Sequence, residues 1–83
     1  MSYKIAFKKS VSRDLKKLNK DDAERILDKI DQDLPEKADT FPLLAGKFAG
    51  LRKFRIGDYR VIFTIIENTV LVLRVSHGRD AYK

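Results

Sequence analysis

Gly50 to Phe63 reads GLRKFRIGDYRVIF, and the way this stretch pairs decides the fold. Two strand-forming runs, RKFRI and YRVIF, flank Gly57-Asp58, and a glycine beside an aspartate between such runs is a hairpin signal. Alternation along the first run puts Lys53 and Arg55 on one side, opposite Phe54 and Ile56. Arg52, Lys53, Arg55 and Arg60 stand against one carboxylate, Asp58. Cations add little to a core, so they belong where solvent or a partner reaches the sheet. Arg52 points away from Lys53 on this reading and is solvated charge.

Outward from the hairpin, YRVIFTII, the connection Glu67-Asn68-Thr69 and VLVLRVS extend it to an antiparallel meander of strands. Residues 35–50, PEKADTFPLLAGKFAG, hold both prolines and two of the four glycines and read as a loop anchored by Phe41, Leu43 and Leu44. Before it, Val11, Leu15 and Leu18 mark one helical face. Asn19 caps a second helix, with Asp21 and Asp22 in its first turn and Ala23, Ile26, Leu27, Ile30 and Leu34 as its apolar stripe; Pro35 is expected to end it. The opening YKIAF gives a first strand, Tyr3 to Lys8. The order is β-α-α-β-β-β, an α+β fold in which a small, twisted, mainly antiparallel sheet carries two N-terminal helices on one face. One domain spanning residues 1–83 is expected. Phe7, Phe63, Val70 and Val72 are expected in its core.

Composition narrows the chemistry. With 83 residues and 43% hydrophobic content the chain supports one core. It has no cysteine, no apolar leader in MSYKIAFKKS and no apolar run of membrane-spanning length, which favours a soluble cytoplasmic protein. The net charge of +6 is uneven: residues 1–40 carry net +1 and residues 41–83 net +5. Such a surface attracts polyanions, nucleic acid ahead of membrane. One histidine without cysteine makes no metal constellation, and neither a phosphate-binding glycine loop nor a Ser-His-Asp signature is present, so no cofactor is expected.

Two helices cover one face of the sheet, and the other is left to Lys53, Arg55 and Arg60, joined by Arg74 and His77 of the last strand. Cations beside Tyr59, Tyr82 and His77 suit phosphodiester transfer in RNA. The 2′-hydroxyl is an internal nucleophile, so the protein has only to move protons and stabilise the charge on phosphorus. DNA lacks that hydroxyl.

GLRKFRIGDYRVIF, with VLRVSHGRDAY at the C-terminus and YKIAFKKSVSRDLKKL at the start, resembles the RelE/ParE toxin superfamily over nearly the whole chain. The resemblance implies a type II toxin that pairs with a RelB-like antitoxin in a hetero-oligomer. RelE-type members are endoribonucleases that cut mRNA in the ribosome and inhibit translation; ParE-type members inhibit DNA gyrase. A relic that only binds its antitoxin is a further alternative. Lys53 and Arg55 match the family's two basic positions of the second strand, which contact phosphate. The second of these is a proposed general base in the family, but an arginine there suits charge stabilisation better. Arg60 matches a transition-state stabiliser, and Tyr82 the terminal tyrosine that packs on the substrate base. The chain departs from the pattern at Gly78, where many RelE-like sequences carry arginine. Either Arg79 reaches the site, or His77 supplies the proton transfer, or activity is weak.

Overall fold

The computed structural model describes residues 2–44, 46 and 50–77. They run β1 (Lys4–Phe7), α1 (Lys9–Lys16), α2 (Lys20–Lys37), a 3-10 turn (Ala38–Thr40), β2 (Arg52–Ile56), β3 (Tyr59–Ile66) and β4 (Thr69–His77). The four strands lie in the order β1-β4-β3-β2, β1 parallel to β4 and the other pairings antiparallel. The α+β class and the β-α-α-β-β-β order therefore hold.

Turn chemistry fixes the meander. Ile56 pairs with Tyr59 across Gly57-Asp58, and Gly57 takes φ +59, the glycine-first pattern of a hairpin turn whose twist matches its strands. At the other end Ile66 pairs with Thr69, so that connection is Glu67-Asn68 alone, one residue tighter than the sequence suggests. Glu67 takes φ 57 there, in the left-handed region.

Asn19 caps α2, its side-chain oxygen accepting the Asp22 N–H at 2.8 Å. Ile26, Ile30 and Leu34 of that helix are fully buried against Val11 of α1 and Phe54, Ile56, Val61, Phe63, Val70, Val72 and Val75 of the sheet. Pro35 does not end α2, which continues to Lys37. A proline so near the C-terminus forfeits one backbone bond, and the stripe of Leu34 and Ala38, both buried, carries the chain past it. The Pro35 carbonyl accepts the Tyr3 N–H at 2.7 Å, tying the first strand to the helix.

In the loop after α2, the Phe41 ring lies 4.6 Å from that of Phe54 and 6.1 Å from that of Phe63. Leu43 is 59% exposed, so it is not the expected anchor. Its backbone serves the sheet instead. Leu43 bridges to Arg52, Leu44 N–H donates to Leu51 and Lys53 N–H to Pro42, which covers the outer edge of β2. Phe7 is also more exposed than expected, because it is the last residue of an edge strand, where the chain leaves the sheet for α1.

The feature that positions the site is a bulge in β4. Phe63 pairs with Val72 and Ile62 with Arg74, so Leu73 is an extra residue. One inserted residue sends every later side chain to the other face. Val75 is thereby turned into the core. Helix α1 pins the irregularity from the edge that β1 does not reach: Ser10 Oγ donates to the Leu73 carbonyl at 2.7 Å, and Asp14 Oδ2 accepts the Val75 N–H at 2.9 Å.

Candidate nucleic-acid interface

The face away from the helices carries two cross-strand rows. Lys53 pairs with Ile62 and Ile62 with Arg74; Arg55 pairs with Arg60 and Arg60 with Ser76. Same-face neighbours along a strand lie about 6.6 Å apart and adjacent strands about 4.8 Å apart. Lys53, Arg55, Arg60 and Arg74 thus form a small grid of positive charge. Directly opposed like charges such as Arg55 and Arg60 destabilise a sheet, and an anion between them relieves that repulsion. Arg55 Nε donates to the Gly57 carbonyl at 3.3 Å, which steadies its stem at the turn.

Three of the sequence-derived candidates, Lys53, Arg55 and Arg60, are brought together. His77 is not: it pairs with Tyr59, which pairs with Ile56, so it faces the helix side. Strict alternation from the buried Val72 would put His77 on the open face, and the extra residue at Leu73 reverses it. The His77 and Tyr59 rings meet edge-to-face at 5.7 Å. Arg79, Tyr82 and Gly78 lie outside the described residues.

Arg52 is not simply solvated charge. Its Nη1 donates to the Phe41 carbonyl at 2.7 Å and to the Asp39 carbonyl at 3.2 Å, clamping the start of the loop. The same bulge that turns His77 away keeps Arg74 on the open face, where the sequence reading placed it. Arg74 Nε meets Asp14 Oδ2 at 3.0 Å and Arg74 Nη2 meets Asp14 Oδ1 at 3.2 Å. That bond and the Asp14 charge hold the Arg74 guanidinium pKa above its ordinary value. Asp14 is not among the sequence-derived candidates; its spacing three residues after Val11 is the signal that puts it on the buried side of α1, and the tertiary pairing shows what it holds.

Tyr59, on the helix side, donates to Asp22 Oδ2 at 3.2 Å and links β3 to the first turn of α2. Partial burial raises its phenol above its ordinary pKa, helped by that hydrogen bond and by the Asp22 charge.

A mixed sheet backed by two helices, with a partly exposed grid of cations at its antiparallel end, defines a small α+β domain with one positively charged face. The sequence matches the family model of the ParE toxin of type II toxin-antitoxin systems, parDE, over residues 5–82. The chain belongs to this family, within the RelE/ParE superfamily, and is a toxin of a type II toxin-antitoxin system. No curated protein matches it by sequence. Its fold is similar to the RelBE2 toxin-antitoxin complex from Mycobacterium tuberculosis, with 29% identity and TM-score 0.86 over 93% of this chain and 99% of that one. It is also similar to the archaeal RelE-RelB complex from Pyrococcus horikoshii OT3, with 26% identity and TM-score 0.72 over 98% and 100%. The chromosomal ParDE system from P. aeruginosa shares the fold alone, with 12% identity and TM-score 0.73 over 92% and 96%.

Proposed function

We propose that this toxin is an endoribonuclease that cuts ribosome-bound mRNA through attack of the RNA's own 2′-hydroxyl. The observation that carries the reading is the placement of Lys53, Arg55 and Arg60 on one face with the two arginines directly opposed. In this reading the 2′-oxygen forms a bond to phosphorus and the bond from phosphorus to the 5′-oxygen breaks. The products are a 2′,3′-cyclic phosphate and a 5′-hydroxyl. The forks of Arg55 and Arg60 hold the equatorial oxygens as charge accumulates. Lys53 is the member of the trio able to exchange a proton, since guanidinium groups stay charged. Arg79 and Tyr82 are proposed to complete the site as the motif implies, Arg79 as a further charge partner and Tyr82 as a surface for the unstacked base.

A second reading, gyrase inhibition, is favoured by the ParE name of the matching family model. The same face would then dock on a protein and no message would be cut. Induced expression followed by primer extension separates the two. Codon-positioned cuts support the nuclease, and intact mRNA with DNA damage overturns it. Arg60→Ala is expected to lower cleavage by roughly 10² to 10³ and relieve growth arrest. Lys29→Ala, on the exposed side of α2, is expected to change neither. Equal toxicity of the two variants at matched expression would remove Arg60 from the site.

The inhibitor in this reading is a cognate RelB-like antitoxin, the partner named in the Mycobacterium tuberculosis and Pyrococcus horikoshii complexes. It would place an acidic segment near Lys53, Arg55 and Arg60 until released, in the cytoplasm where ribosomes are reached.

A further inference from the structure

We infer that Arg74 is an additional phosphate-binding residue at the rim of the cationic face, held in position by Asp14. The inference rests on the nuclease reading, because it extends the path of the RNA beyond the trio Lys53, Arg55 and Arg60. Register places Arg74 across Ile62 from Lys53, one row from Arg60 and Ser76. Its side chain is 59% exposed, whereas that of Asp14 is 7% exposed. A surface arginine ordinarily wanders among rotamers. This one is gripped side-on, through Nε and Nη2, by a carboxylate that is itself fixed by the Val75 N–H at 2.9 Å.

Side-on pairing engages one edge of the planar guanidinium. The Nη1 edge points away from Asp14, with donors remaining for a second anion. The rotamer entropy that an exposed arginine would lose on meeting a phosphate has been lost on folding, which is the advantage of preorganisation. The Asp14 carboxylate offsets part of the Arg74 charge, so the contribution to affinity is modest while the contribution to alignment is retained. The bulge at Leu73 makes the arrangement possible, since without the extra residue Arg74 would point with Val72 into the core.

The test measures binding of a short fluorescent single-stranded RNA made uncleavable by 2′-O-methylation, titrated over a series of salt concentrations. Each phosphate contact contributes about 0.7 to the slope of log affinity against log salt for a single strand. Arg74→Gln retains a donor for Asp14 but removes the cation. It is expected to weaken binding roughly threefold at moderate salt and to reduce the slope measurably, by up to about 0.7. Arg74→Lys, which restores the cation, is expected to recover most of the slope even where its melting temperature falls, a pattern that a merely structural role does not produce. An unchanged slope in Arg74→Gln overturns the inference, as does a loss of affinity that follows thermal stability alone across both variants. If Arg60→Ala retains wild-type binding and the wild type cuts no mRNA, the nuclease reading falls with it; wild-type cleavage with an unchanged Arg74→Gln slope removes Arg74 only.

Discussion

Asp14 accepts hydrogen bonds from Val75 N–H, Arg74 Nε and Arg74 Nη2, all from a strand some sixty residues away in sequence. Replacing it with alanine leaves the buried Val75 N–H unsatisfied, which costs more than the net value of a hydrogen bond. The Arg74 side is exposed, so its share is discounted for solvent screening. Asp14→Ala is expected to destabilise the fold by about 2 to 3 kcal/mol, seen as a melting temperature lower by roughly 10 to 20 °C in a domain of this size. A melt within a few degrees of wild type would show that α1 holds the bulge by other means. Glu67 presents the opposite case. It sits at φ 57 in a two-residue turn, where a side chain is strained and glycine is not. Glu67→Gly gives up that strain but adds unfolded-state freedom, so a net gain of about 0.5 to 1 kcal/mol is expected in chemical denaturation. A loss of stability would mean that the Glu67 side chain makes a compensating contact.

Most of the elements are legible in the sequence because each carries a local signal. Gly57-Asp58 announces the hairpin, Asn19 with Asp21 and Asp22 starts α2, and the stripe of Ile26, Ile30 and Leu34 gives its buried side. What local signals leave out is set by tertiary pairing. Pro35 is overridden by packing, Arg52 serves carbonyls of a preceding loop, and the extra residue at Leu73 turns His77 to the helix side while Arg74 keeps the open face. The trio on β2 and β3 and the place of Arg74 beside it were therefore readable, whereas the turning of His77 to the helix side was not. The link between β3 and α2 can be tested by pH. Tyr59 has a raised pKa, so between the ordinary value of about 10 and the native value the folded chain keeps a proton that the unfolded chain releases. Stability from this group is complete below about pH 10 and falls as pH rises through the folded pKa. Urea midpoints measured from about pH 8 upward should decline above pH 10 more steeply in the wild type than in Tyr59→Phe. Parallel curves would show that neither burial nor Asp22 holds the Tyr59 phenol above its ordinary pKa.

At the scale of the whole molecule the charge is divided by layer as well as by sequence. The helical layer mixes signs, with Asp22 paired to Arg25 at 3.3 Å, while the open face of the sheet holds Lys53, Arg55, Arg60 and Arg74 with Asp14 at its border. Folding therefore gathers cations that the unfolded chain keeps apart, and the native state should bind polyanions more tightly than the unfolded chain of the same net charge. Ligand bound to the native state alone stabilises it by about 2.7 kcal/mol at one hundred times its dissociation constant. At 4 to 8 °C per kcal/mol, saturating polyanion should raise the melting temperature by roughly 10 °C or more, less whatever binding the unfolded chain retains. Heparin is a suitable probe because it has no bases to stack and no bond for this site to cut. The shift should shrink as salt is raised, since counterion release drives the binding, and should largely disappear in the double variant Lys53→Gln, Arg55→Gln. That variant alone should melt no lower than wild type, because removing Arg55 also relieves its opposition to Arg60. An unshifted melt with heparin at low salt would mean that the cations do not act as one surface. An equal shift in the double variant would place the polyanion elsewhere on the chain.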